Sequence, residues 1–303
     1  MTRIKTLLLP GWMVISALTV MGQTQVGEVA LDLVDEQSAI VKSGSYSNTY
    51  WVLNDSGDEA RLFPLRADGT AIIPPYLQRH YTDRTRAFPG IPVYGAVNQD
   101  WETLTRLGDT LIIGDTGNNG NARRDLALYF LIEPNPKASD GVHVLSRIPI
   151  AYPDQDGWPP EEWDFDCEAI FTFQGKVYFL TKQRANQRID MPKPATHLYR
   201  LDSRRPNRVN QLTLIGGKDN LGGWVTGAEL SPDESRLTVL IHHPINAGIW
   251  IFPKPRRGDN FLKQAGQYLP LGKLGQCEGI CWQDNRTLII TNEDRDIFSV
   301  TLD

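Results

Sequence analysis

The stretch NQDWETLTRLGDTLIIGDTGNNG (residues 98–120) sets an acid on either side of Trp101, runs through apolar segments joined at Gly108-Asp109, and ends in Gly and Asn. Two short β-branched runs around a Gly-Asp joint are hairpin chemistry. The same plan returns in DFDCEAIFTFQGKVYFLTK (residues 164–182). One acidic pair is explained by solubility, whereas a pair recurring at the same place in a recurring unit points to a shared site. The first question is therefore whether the chain repeats.

It does. Five segments carry an apolar residue, an aromatic, any residue and a second apolar one: Leu62-Phe63-Pro64-Leu65, Leu128-Tyr129-Phe130-Leu131, Leu198-Tyr199-Arg200-Leu201, Ile249-Trp250-Ile251-Phe252 and Ile297-Phe298-Ser299-Val300. Upstream of each lies a stronger apolar run with a polar end, beginning at Tyr50, Leu111, Val177, Leu237 and Leu288. Before those come a further short segment and a tight turn, beginning at Ser38, Glu102, Glu168, Ala228 and Glu278. Each unit thus supplies three antiparallel strands in order, and fourth strands are legible from Ile148, Asn210 and Gly266. Four-stranded units repeating in this way are propeller blades. The expected fold is all-β, a β-propeller of five four-stranded blades. Six stays open because the loose spacing between Phe63 and Tyr199 leaves room for a degenerate blade. The last unit lacks an outer strand, which VGEVALDLV (residues 26–34) is free to supply, removing an open sheet edge. Outside the N-terminus no helical period is visible.

The 303 residues, 41% hydrophobic with 26 Gly and 20 Pro, suit one large all-β domain with a substantial core. A net charge of −5 and the absence of basic runs interleaved with aromatics argue against nucleic acid. MTRIKTLLLPGWMVISALTVMGQTQ (residues 1–25) has Arg3 and Lys5, an apolar run broken by Pro10, then small and polar residues, the layout of a secretory signal peptide. Its apolar length alone leaves an uncleaved anchor as the alternative. The expectation is a signal peptide over residues 1–22 and a single propeller domain over residues 23–303, exported to the periplasm or secreted, monomeric, and not inserted in a membrane after cleavage. Of three cysteines, Cys277 and Cys281 on one strand would stand ~13 Å apart, too far for a bridge. Cys167 could pair with either, or all three are buried small hydrophobes.

Aligned on their first strands, the units place Ser38, Glu102, Glu168, Ala228 and Glu278 at one position, with Glu229 one place late in the fourth. Innermost strands of a propeller line its channel, so these residues converge on the axis. The second strands end in Asn54 and Asp55, Asp115, Thr181 and Lys182, His242 and His243, and Asn292 and Glu293, beside the first-strand starts that carry Asp100 and Asp166. Gathered carboxylates repel unless a cation pairs them or protons are shared. Oxygen donors of this kind suit calcium. The metal candidates are therefore Asn54, Asp55, Asp100, Glu102, Asp115, Asp166, Glu168, Glu278 and Asn292. The plainer alternative is that they accept hydrogen bonds from strand-end amides and bind nothing.

YWVLNDSGDEARLFPL, DWETL, GDTGNN with Arg123 and Arg124 after it, LIEP, CEAIF and VYFLTK together resemble a group of exported bacterial β-propeller proteins in which NDSG, DWE, DIGDN, EP and EAL segments recur. Most members of that group have no assigned activity. More distantly the plan is similar to calcium-dependent propellers: gluconolactonase and regucalcin, paraoxonase, strictosidine synthase and the SdiA-regulated proteins. That likeness implies a metal at the channel mouth, held here by Glu102, Glu168, Glu278, Asn54, Asp115 and Asn292, polarising an ester or lactone carbonyl in the hydrolases. Ser38, Ala228 and Lys182 depart from such a pattern.

Two functions follow as expectations. The first is a metal-dependent hydrolase of an ester, lactone or phosphate, with a carboxylate or a His, either His242 or His243, as the base. The second is a non-catalytic module whose mouth grips a small molecule, carbohydrate or protein. Lys182, Arg123, Arg124 and Trp101 are the candidate ligand contacts, and Trp158 and Trp163 among acids form either a binding tip or a lid. No G-x-S-x-G or Walker spacing is present. In GDTGNNG, Gly117 and Gly120 are expected to supply positive φ.

Overall fold

The computed structural model describes residues 20–81, 87–243 and 246–302. The expected signal segment lies outside the described residues up to residue 19. Five antiparallel blades surround one axis. The first comprises Gln37–Lys42, Tyr50–Asn54, Arg61–Leu65 and Ile91–Tyr94, and the second Trp101–Leu107, Thr110–Asp115, Ala127–Ile132 and Ser146–Ala151. The third comprises Trp163–Phe173, Lys176–Arg184, Thr196–Leu201 and Thr213–Lys218, and the fourth Trp224–Leu230, Arg236–His242, Ala247–Pro253 and Gln267–Gly272. The fifth joins Cys277–Trp282, Thr287–Asn292 and Asp296–Leu302 to Val20–Glu28. First strands of successive blades pack side by side, and the fifth returns to the first, closing the ring. The blade count is five: the loose stretch between Phe63 and Tyr199 holds outer strands and excursions, with the short helix Gln78–Tyr81 in one of them.

Closure comes from the N-terminal strand, as expected, but earlier in the chain. Val20 pairs with Leu302 and Glu28 with Asp296, so the strand covers residues 20–28 rather than 26–34. Its far end interlocks with the turn after the third strand of the first blade. A β-carbon on Gly27 would overlap the Asp68 carbonyl, one on Gly69 would overlap the Glu28 carbonyl, and Gly69 has φ +84. Backbone meets backbone there, which only glycine permits.

Two connections do double duty. Val142–His143 pairs in parallel with Ile91–Tyr94, and Asn210–Gln211 with Ser146–Ala151, before the chain enters the next outer strand. Each covers an edge that an isolated blade would leave open. The core consists of interblade layers in which the repeated aromatics Phe63, Tyr129, Tyr199 and Phe298 are all buried. Cys167, Cys277 and Cys281 are free and buried in these layers. Among the described residues no helix is long and apolar enough to cross a membrane.

Candidate functional site at the channel mouth

Every first strand carries an extra residue relative to its partner at one shared position, and the third blade has a second irregularity between Trp163 and Asp166. The ladder skips between Gln37 and Ala39, Trp101 and Thr103, Cys167 and Ala169, Val225 and Gly227, and Cys277 and Gly279. The bulged residues are Ser38, Glu102, Glu168, Thr226 and Glu278. A bulge re-aims a side chain, and here it does so at the same height on all five blades. The alignment of the fourth unit is thereby corrected by two residues: Thr226, not Ala228, is the counterpart of the glutamates. Glu229 belongs to the opposite end, where its carboxylate accepts from the Trp282 amide. Ser38 and Thr226 donate to the carbonyls of Trp101 and Cys277 in the next blade, at 2.8 and 2.7 Å. Where a hydroxyl stands the bulge stitches blades together. Where a glutamate stands it faces the channel.

Glu102, Glu168 and Glu278 are 4, 4 and 6% exposed and line both the narrow channel and a cavity of about 150 Å³ above it. Glu36, Asp55, Asn119, Lys182 and Glu293 also stand in that cavity's wall. Cations balance part of the charge. Lys182 pairs with Glu168 and lies 5.0 Å from the Trp224 ring centroid. Arg184 bridges Asp166 and Asn119, and Asp166 also accepts from the Asn118 amide at 2.7 Å. Arg123 reaches Asp115 at 2.8 Å and Asp100 at 4.0 Å, and donates to the Gly117 carbonyl at 2.8 Å. Oε2 of Glu168 and of Glu278 are buried with no hydrogen-bond partner. Oxygens of Asp55, Asp100 and Glu102 lie within 4.8 Å of one another.

The electrostatics follow. Burial, then the neighbouring Glu168, Asp55 and Asp166, hold Glu102 well above the usual carboxylate range. Burial and then Glu168 do the same to Glu278. Asp100 is pushed up to about 7 by burial, Asp55 and Asp166, and Glu293 to about 7, chiefly by burial. Burial opposes the Lys182 charge, but Glu168, Glu278 and Asp166 outweigh it and raise its pKa. Without a further cation, crowding and burial shift Asp100, Glu102, Glu278 and Glu293 toward their protonated forms.

The structure brings Asp55, Asp100, Glu102, Asp166, Glu168, Glu278 and Lys182 together at the mouth, with Asp115 and Arg123 beside them. It takes other candidates elsewhere. Trp101 is a correction: it is wholly buried, with Nε1 donating to the Val97 carbonyl at 3.0 Å, and is a core residue with no face for a ligand. Asn54 and Asn292 occupy the place held by Asp115 in the second blade, but their amides turn outward, donating to the carbonyls of Leu33 and Leu274 at 2.6 and 2.8 Å. Arg124 lies on the flank over Trp158, which makes that tryptophan no lid over the channel. His242 ends its strand opposite Trp224, its Nδ1 buried and unpartnered, its pKa lowered to about 4 by burial and then Lys182 and His243. His243 is exposed.

Glu36, Arg184 and Asn119 escaped the sequence reading because they fall outside the repeated positions. Gly117 was assigned the wrong task. In its loop the positive φ belongs to Asn121, at 51°. Gly117 is instead the surface against which Asp100 and Glu102 pack: a β-carbon there would overlap the Asp100 carboxyl and stand 2.8 Å from Cγ of Glu102.

No family model matches the chain, and no curated protein matches it. Among solved structures, a chain of a mitotic checkpoint complex aligns with a TM-score of 0.47 at 12% identity, over 99% of this chain and 98% of that one. A structural-genomics protein of unknown function from Bacteroides thetaiotaomicron aligns with a TM-score of 0.43 at 9% identity, over 95% and 76%. Hydrazine synthase from Kuenenia stuttgartiensis gives 0.41 at 11%, over 87% and 74%. Likeness at this level says nothing about function. The class of the protein, a five-bladed β-propeller, rests on its own strand order.

Proposed function

We propose that the channel mouth is a calcium site in a metal-dependent hydrolase of an ester, lactone or phosphate. The observation that carries the reading is the convergence of Asp55, Asp100 and Glu102 within 4.8 Å of one another, with the Arg123 guanidinium 4.0 Å from Asp100. The donors are all oxygen, as a hard cation requires, and two further buried carboxylate oxygens beside them lack any partner. The residues fit the ion. When bound, calcium supplies a Lewis acid for a carbonyl or phosphoryl oxygen.

The chain's own groups do the rest. Glu293 lines the same cavity and titrates near 7, the range in which a carboxylate can take a proton from water. Lys182, fixed by Glu168 and stacked near Trp224, offers a charge to an anionic part of a substrate. His242, neutral at pH 7, has its free nitrogen buried and is the weaker base.

The test is thermal unfolding of the purified protein with calcium and then with excess chelator, followed by ester, lactone and phosphoester screens. A rise in Tm with calcium that Glu102→Gln abolishes supports the ion through linkage of binding to folding. No shift, and no metal in the purified protein, rejects the ion. Calcium binding without turnover would turn the reading to a ligand-binding propeller.

A further inference from the structure

We infer that the flank of the disc, at the outer edge of the second blade, carries a second binding site, for a small carboxylate with an apolar or aromatic body. It is a cavity separate from the channel mouth, with Arg123 standing between the two. A cavity of about 280 Å³ opens there, at the lower edge of the roughly 300–1,000 Å³ usual for small-molecule sites. Its floor is apolar and fixed, since Leu126, Ile150 and Tyr152 are 2, 2 and 3% exposed.

Trp158 and Arg124 form the rim. Trp158 is 44% exposed, so much of a large apolar ring is left in water beside an apolar floor. The Arg124 guanidinium lies 4.3 Å from the ring centroid. Arg124 has neither a hydrogen bond nor an ion pair with any described residue. Its neighbour Arg123 is by contrast held by Asp115, Asp125 and the Gly117 carbonyl.

Stacking on an indole uses the face of a guanidinium and leaves its N–H donors free in the plane. That fork matches a carboxylate held by two parallel hydrogen bonds. Asp125, next in sequence, is paired to Arg123 and leaves the fork open. Of the two amides in the cavity's wall, Gln155 is committed to the carbonyls of Asn121 and Gly157 at 3.0 and 3.3 Å, which leaves Gln211. One free guanidinium above an apolar floor therefore selects one planar anion with a hydrophobic body.

The experiment is calorimetric titration of the full chain with phenylacetate, and with phenylacetamide as its neutral counterpart. Phenylacetate should saturate one site and bind about tenfold or more tightly than phenylacetamide. Arg124→Gln should erase that difference, and Trp158→Ala should weaken both ligands. Both side chains are exposed, so the fold is retained. Glu102→Gln, at the mouth, should leave phenylacetate binding unchanged. The proposal is overturned if phenylacetate fails to saturate by about 10 mM, if Arg124→Gln binds it like the parent, or if binding is lost in Glu102→Gln instead.

Discussion

Gly117 lies against Asp100 so closely that a β-carbon on residue 117 would overlap the Asp100 carboxyl. The contact links a loop after the second strand of its blade to the acid that precedes the first, and it sets where the carboxylates of Asp100 and Glu102 stand. Gly117→Ala should therefore cost about 1–3 kcal/mol, as overpacking does, and should also remove the calcium-induced rise in Tm. Calorimetry with and without calcium separates the two effects. An alanine variant with the parent's calcium response would remove Gly117 from the site.

The acids give stability a pH dependence whose sign is fixed. Asp100 and Glu293 titrate at about 7, and Glu102 and Glu278 well above the ordinary 4.5. Between the ordinary and the raised values the folded protein holds more protons than the unfolded chain, so stability falls as pH rises. His242, lowered from 6.5 to about 4, acts in the opposite sense but only below 6.5. The clean window runs from 6.5 to about 8. In chelator Tm should decline across it, and saturating calcium should flatten the decline because the cation replaces the protons. A Tm independent of pH in chelator would contradict the assigned environments.

Glu293→Gln separates chemistry from ion binding. Because Glu293 is outside the group formed by Asp55, Asp100 and Glu102, its amide should preserve the calcium shift in Tm. Turnover of whichever ester, lactone or phosphoester the protein accepts should fall about 100- to 10,000-fold, with loss of the rate limb near pH 7. Unaltered turnover would exclude Glu293 as the proton acceptor.

Gly69→Ala tests the closure. Residue 69 has φ +84 and no room for a β-carbon against the Glu28 carbonyl, so the backbone strain alone should cost about 1–3 kcal/mol. Hydrogen exchange should show Val20–Glu28 losing protection ahead of the inner strands. Uniform protection in the variant would mean that the interlock carries no weight.

Much of this architecture was legible from local chemistry. The five apolar-aromatic-any-apolar segments are all third strands, because short apolar runs rich in aromatic and β-branched residues and bounded by turn residues admit little else. Ser38, Glu102, Glu168 and Glu278 could be aligned for the same reason. The fourth unit misled because its glutamate, Glu229, lies three residues after the true bulge at Thr226, and a bulge leaves no mark in a single sequence. The closing strand was misplaced because residues 20–28 are mostly polar and small, an edge strand with little apolar content to advertise it. Register gives Asn54 and Asn292 the place that Asp115 holds in its blade, which suggests ligands, whereas the direction of an amide depends on loop carbonyls far off the repeat.

The paired ends of the fifth blade also bear on how fast the molecule can assemble. Gln25 hydrogen-bonds Asp296 across 271 positions of sequence, so the last sheet cannot form until nearly all of the chain has been made. Contacts that distant in sequence slow folding, since loop closure must precede any reward. Four blades can organise on their own hairpins while the fifth waits, which makes the unpaired edge of Asp296–Leu302 the surface most exposed to wrong partners during synthesis.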